Sequence, residues 1–304
     1  MPKTLYYAST IGFGATISLM VVLNTRFGEL ATMPVSLLVN QVVGIVAITI
    51  VMRMKSLGKG LQPPRLHAPW YLWFGGVFGF FILNANFITI TNLGASLSMA
   101  TAVFGQSIGS LLFDLTGFMG RPRYRISRQK ALTLAICLGG IIIMALDGGS
   151  FTIPYLLLGI ITGIVTMVQM VYNSRFGAYK GVLFSARNNV VSGLLFALVV
   201  YTFTAFQETY EGFLIIPSIP LPVVLGGGLL AVVVVTGTNW VIPKIPALYS
   251  ALLMSSAQII TSMAIDYMLL GKFSMYLLWG AIVIVIGMAG NVFVDQAEAR
   301  AKTA

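Results

Sequence analysis

Of 304 residues, 58% are hydrophobic and 9% are charged, where a soluble domain carries about 25% charged, and the mean hydropathy of +0.93 points the same way. A single water-facing globule cannot hide that much apolar surface, so lipid is the expected solvent, and a soluble enzyme and a disordered tail are both excluded. The net charge of +10 is what a membrane protein gathers in its cytoplasmic loops and calls for no nucleic acid, while one cysteine, Cys137, and one histidine, His67, exclude an internal disulfide and cysteine-based or multi-histidine metal sites, so no metal or cofactor is expected.

A helix needs about 20 apolar residues to cross the hydrocarbon core. In chain order this predicts ten spans, at roughly 5–24, 33–52, 70–91, 95–119, 130–147, 152–173, 182–206, 221–242, 246–271 and 274–294. The runs are continuous and lack the period-2 alternation of barrel strands. The opening MPKTLYYASTIGFG has no A-x-A-like cleavage site, which predicts a retained first span. Trp70, Tyr71 and Trp73 beside a basic loop read as an interfacial belt. Arg187, early in span seven, is expected to snorkel to the interface. Pro243 and Pro246 bracket the turn between spans eight and nine.

Lys and Arg orient the chain. With the N-terminus inside, fifteen basic residues fall in cytoplasmic segments, chiefly the 53–67 and 121–130 loops, and two, Arg26 and Lys272, fall outside. Ten crossings then return the C-terminus to the cytoplasm.

The halves repeat. V-L-N-T-R-F-G at 22–28 recurs as V-Y-N-S-R-F-G at 171–177, an offset of 149. In that register Gly14 matches Gly163, Ser36 matches Ser185, and Asn40 matches Asn189. Later in each half the offset is 152, matching Gly75-Gly76 with Gly227-Gly228, Gln106 with Gln258, and Asp114 with Asp266. The predicted domains are residues 1–149 and 150–304, each a five-helix repeat. An odd number of spans per repeat forces the second to enter the membrane inverted. Inverted repeats are a signature of secondary transporters. The expected architecture is an all-α membrane protein of ten transmembrane helices in two inverted five-helix repeats. A lipid flippase, or a membrane-embedded scaffold or enzyme without solute transport, is the alternative.

These residues resemble the drug/metabolite transporter superfamily. N-x-R-F-G after the first span, with Gly105, Gln106, Asp114 and Gly117 in the run N-L-G-A-S-L-S-M-A-T-A-V-F-G-Q-S-I-G-S-L-L-F-D-L-T-G, resembles its YdcZ-like branch of bacterial inner-membrane proteins. The second half departs from the pattern with Ala257 and Leu269 in place of the two glycines. The resemblance implies a drug/metabolite transporter-like fold and a multi-pass exporter in the bacterial inner membrane. Its partners would be a small organic solute and the lipid bilayer, with a homodimer allowed. Spans one and six lack the membrane glutamate around which the superfamily's small multidrug exporters are built. No G-x4-G-K-[ST] occurs, so uphill transport would draw on a gradient.

Gln106 and Gln258 fall at mid-depth, where an amide needs a partner. They are expected to approach one another across a central cavity and bind substrate. A helix clamp is the competing role, worth about 0.6 kcal/mol. Asn84 and Asn86, with Asn239 and Trp240, are expected to form a second substrate-binding wall, and Asn40 and Asn189 to act as helix glue. Ionisable groups within spans are functional candidates by default. Asp114 with Arg175 near the inner face, and Asp266 with Arg26 near the outer face, are candidate cross-repeat pairs acting as alternating gates. Against this, each Asp would pair within its own half or cap a neighbouring helix.

Overall fold

Three helices open with a proline at their second residue, where the backbone N–H would have no intrahelical partner anyway. These are Pro34 in α2 (Met33–Leu57), Pro154 in α5 (Ile153–Lys180) and Pro222 in α8 (Leu221–Val241). The computed structural model describes residues 3–57, 67–117, 128–146, 153–241, 247–270 and 274–303, and all regular structure among them is helical. The remaining elements are α1 (Lys3–Leu30), α3 (Gly75–Thr116), α4 (Arg128–Ala145), α6 (Val182–Thr204), α7 (Phe206–Ile215), α9 (Ala247–Leu270) and α10 (Met275–Thr303), with 3-10 turns at Trp70–Phe74 and Ile216–Ser218.

Spans three and four run together in α3. Its 42 residues would make a straight rod of about 63 Å, twice the hydrocarbon thickness. Gly94 breaks it, with φ of 77° and ψ of 168°, a conformation closed to residues with a Cβ. The Thr89 and Ser98 hydroxyls, nine residues apart, hydrogen-bond at 2.6 Å. An unbroken helix would hold them about 13 Å apart along its axis, so the chain folds sharply here. Gly181, at φ of 88°, makes the corresponding tight turn between α5 and α6.

Among the described residues, five helical stretches are long and apolar enough to span a bilayer: Leu5–Leu30, Met33–Met54, Trp70–Phe113, Ile153–Lys180 and Val182–Thr204. The apolar parts of α4 and α10, Ala131–Ala145 and Met275–Gly290, are shorter. The segment expected as an outer loop after span seven contains α7 instead. Phe206–Ser218 bends by 109° from Leu221–Gly237. Phe206, Tyr210, Phe213 and Leu214 of α7 are exposed beside Glu208 and Glu211, so the helix is amphipathic.

Packing groups the chain differently from the sequence repeat. One compact unit comprises Met1–Leu19, Thr89–Met167 and Trp240–Ala304, and the other Met20–Ile88 and Val168–Asn239. Each contains pieces of both repeats, cut within one residue of equivalent positions. The first unit buries Leu97, Phe104, Ile141, Met144, Ile259 and Ile284 in one core. There α4 meets α10 closely: a Cβ on Gly140 would lie 2.7 Å from Gly280 O, and one on Gly287 2.6 Å from Cys137 Sγ. The second unit has two smaller cores, around Leu37, Phe80, Ala197 and Tyr201, and around Phe27, Val35, Ile219 and Val224. The basic residues at 58–66 and 121–127 lie outside the described residues.

Candidate functional site

In the first unit the repeat appears as two matched helix crossings. A Cβ on Gly14 of α1 would lie 2.3 Å from Met254 O and 2.8 Å from Ala257 Cβ in α9. A Cβ on Gly163 of α5 would lie 2.0 Å from Ala102 O and 2.8 Å from Gln106 N in α3. Gly14 and Gly163 are equivalent, and so are Met254 and Ala102. Gln258 and Gln106 each sit at their own copy of this crossing. Gln258 is buried and its backbone carbonyl accepts Ser18 Oγ at 2.7 Å, while Gln106 is half-buried.

Asp266 is 7% exposed. Its Oδ1 accepts Ala95 N at 3.0 Å, and its Oδ2 accepts Ser96 N at 2.7 Å and the Ser96 hydroxyl. The carboxylate therefore caps the helix that restarts after Gly94, where orphan N–H groups and the positive end of the helix dipole favour an anion. Arg26 is exposed and donates to Glu29, one turn away, at 3.0 Å. In this conformation Asp266 answers the bare N–H groups of a helix start, the capping role set against the gate in sequence, and Arg26 answers a neighbouring carboxylate. The side chain of Asp114, and with it the Asp114–Arg175 pair, lies outside the described residues.

The second unit holds two asparagine nodes, one from each repeat. In the second repeat, Ser185 Oγ donates to Asn173 O at 2.8 Å. Asn173 Nδ2 and Gln169 Nε2 both donate to Asn189 Oδ1 at 3.1 Å, and Gln169 reaches Gly75 O at 3.3 Å. In the first repeat, Ser36 Oγ donates to Asn24 O at 2.7 Å, reproducing the first of these bonds. There the likeness stops. Asn24 Nδ2 and Asn40 Oδ1, the equivalents of the bonded pair, are buried with no hydrogen-bond partner among the described residues. Position 20 is Met where the second repeat has Gln169. Glycine makes room for each node: a Cβ on Gly75 would lie 2.5 Å from Asn173 Oδ1, and one on its equivalent, Gly227, 1.6 Å from Asn24 Oδ1.

Beside the first-repeat node is a small cleft. Val21, Met33, Leu37, Leu83 and Phe87 line it with apolar surface, and Asn24, Thr25, Ser36, Asn40 and Asn86 supply polar groups. The Thr25 hydroxyl is committed to Val21 O at 3.1 Å. The cleft thus offers an apolar wall with amide groups on it and, among the described residues, no ionisable side chain.

Of the wall expected around span three, Asn86 reaches this cleft. Asn84 instead donates to Phe80 O at 2.7 Å and accepts from Tyr201 OH at 2.7 Å, which makes it a clamp between α3 and α6. Asn189 is helix glue as expected, whereas its equivalent Asn40 lines the cleft. Asn24 was no site candidate, although the repeated N-x-R-F-G motif marks it. The side chains of Asn239 and Trp240 lie outside the described residues. Arg187 stacks over Phe184, with its guanidinium carbon 5.4 Å from the ring centroid.

One solved structure, described as "Crystal structure of protein", is similar over 96% of this chain and 98% of its own, with a TM-score of 0.57 and 18% identity, a likeness of fold alone. Comparison with curated proteins finds no match. The family model described as "Putative inner membrane exporter, YdcZ" matches residues 5–143 and again 154–290, in step with the two repeats. That repeated match covers most of the chain, which belongs to this family of multi-pass inner-membrane proteins.

Proposed function

We propose that the protein is a secondary transporter, working as an exporter, that moves a small organic solute across the inner membrane by alternating access. The observation that supports this reading is the pair of matched crossings, Gly14 on Met254 and Gly163 on Ala102, made by equivalent positions of two repeats that we take to be of opposite orientation. Exchanging the conformations of two such repeats exchanges an outward-open state for an inward-open one. The family description supports the direction of flux. On this reading the chain crosses the membrane ten times, with both termini and the basic loops in the cytoplasm. Gln106 and Gln258 line the solute path beside their crossings. With no nucleotide motif in the chain, transport is driven by solute or ion gradients.

Counterflow in proteoliposomes containing only this protein tests the reading. Preloaded unlabelled solute should accelerate entry of the same labelled solute for at least one member of a metabolite panel. If no member gives counterflow, and reconstituted vesicles instead scramble labelled lipid, the flippase alternative replaces the exporter.

A further inference from the structure

We propose that α7 docks by its apolar face into the lipid–water interface of the bilayer and moors one end of the second unit at headgroup depth. The proposal rests on the chain spanning the membrane and not on what it carries. Chain connection fixes where α7 sits. The helix α6 is long and apolar enough to span, and only Ala205 separates its end from α7. A ten-residue helix joined so closely to the end of a span has no slack to leave the membrane surface. The next bend fixes its direction. Phe206–Ser218 turns by 109° from the apolar stretch Leu221–Gly237, so where that stretch crosses the bilayer α7 lies within about 20° of the membrane plane.

At about 100° per residue, the side chains of α7 divide into three stripes. Ala205, Thr209 and Gly212 make the stripe that faces protein: Gly212 is buried, and a Cβ there would lie 2.5 Å from Thr32 Oγ1 and 2.8 Å from Val35 Cγ2. Phe206, Tyr210, Phe213 and Leu214 make the second, all of them exposed, Phe206 and Leu214 at 65%. The third carries Gln207, Glu208 and Glu211 and closes on Ile215 at the helix end, with Gln207 Nε2 donating to Glu211 Oε1 at 2.7 Å. In water the second stripe would be left uncovered, and in the hydrocarbon core the third would be stripped of its solvent. At the interface both are met. The apolar stripe also continues a surface that faces lipid on the spanning reading. It follows Leu195, Val199 and the 85% exposed Phe203 of α6, and it precedes the exposed Leu221 at the start of α8. Residues 205–220 contain no Lys or Arg, so anionic headgroups add no attraction and burial of the apolar stripe alone holds the helix in place.

The test is spin-label accessibility in the full-length protein, reconstituted in phosphatidylcholine vesicles, with single cysteines in a Cys137→Ala background. Phe206→Cys and Phe213→Cys sample the apolar stripe, Gln207→Cys and Glu208→Cys the polar one, and Leu195→Cys serves as the lipid-facing reference within a span. All five positions are exposed, so the labels displace no packed side chain. The readout is the collision rate with oxygen, which concentrates in lipid, divided by that with a water-soluble nickel chelate. This ratio should be severalfold higher at Phe206 and Phe213 than at Gln207 and Glu208, approach the value at Leu195, and stay the same when phosphatidylglycerol is added. The proposal is overturned if the four α7 ratios are alike, which places the helix in water. It is also overturned if labels at Phe206 and Phe213 are shielded from both colliders, which places a second copy or another protein on the stripe. A ratio that rises at Phe206 and Phe213 only with phosphatidylglycerol overturns it too, because headgroup charge would then hold the helix. Counterflow has no part in these outcomes, so failure of the exporter reading leaves the docking of α7 standing, and the reverse.

Discussion

Asn173 and Asn189 hold each other across two helices, while the same donor and acceptor one repeat earlier, Asn24 Nδ2 and Asn40 Oδ1, are buried without a partner among the described residues. The glycine crossings show the opposite behaviour, with Gly14 and Gly163 meeting equivalent carbonyls at nearly the same separation. Duplication has therefore kept the backbone contacts symmetric and let the polar side chains diverge. The reason is steric. A carbonyl at 2 Å from a would-be Cβ leaves no room for change, whereas methionine in place of glutamine removes a side-chain donor without a backbone clash.

The largest effect should come where the repeats agree. Gly163→Val and Gly14→Val drive side chains into backbone oxygens that cannot retreat. Each should cost about 3 kcal/mol or more, seen as loss of monodisperse protein after extraction. If either variant folds normally, the crossings are not equivalent. Next comes Asp266→Ala, which strands the Ala95 and Ser96 N–H groups in a buried site. It should lower the free energy of unfolding in mixed micelles by about 1–3 kcal/mol, with Asp266→Asn recovering part of the loss.

Where the repeats differ, the effects should differ too. Asn189→Ala removes two hydrogen bonds and should cost about 1 kcal/mol at about 0.6 each. Asn40→Ala removes no bond made to that oxygen and should cost less than half as much. Equal losses in the same unfolding assay would erase the asymmetry between the nodes. The smallest effect should be at Gly12 and Gly139, where an added Cβ meets nothing within 4 Å. Replacing either with Ala should change stability by no more than about 0.5 kcal/mol.

Much of the helical layout was legible because it rests on apolar length and on register. The predicted gap between spans three and four, 91 to 95, contains Gly94. The 149-residue offset finds Ser36 and Ser185 making the same bond. The site was less legible. Asn84 and Asn86 look like one wall in sequence, but residues two apart on a helix point about 200° apart, so one meets Tyr201 and the other the cleft. Asn40 and Asn189 are identical in type and register, yet Asn189 accepts from Asn173 and Gln169 while Asn40 Oδ1 has no partner among the described residues. Asp266 found its partners about 170 residues away, a distance that no local pattern encodes. The helix α7 was read as loop because its glutamates outweighed a four-residue aromatic and aliphatic face.

That separation has a consequence for biosynthesis. The N–H groups of Ala95 and Ser96 emerge 171 and 170 residues before the carboxylate that caps them. At ribosomal rates of about 5–20 residues per second, the helix that restarts after Gly94 waits roughly 10–30 s for its cap. During that interval its broken end carries bare donors that the folded protein buries. A nascent chain arrested before Asp266 should therefore be a better substrate for degradation than one arrested a few residues after it.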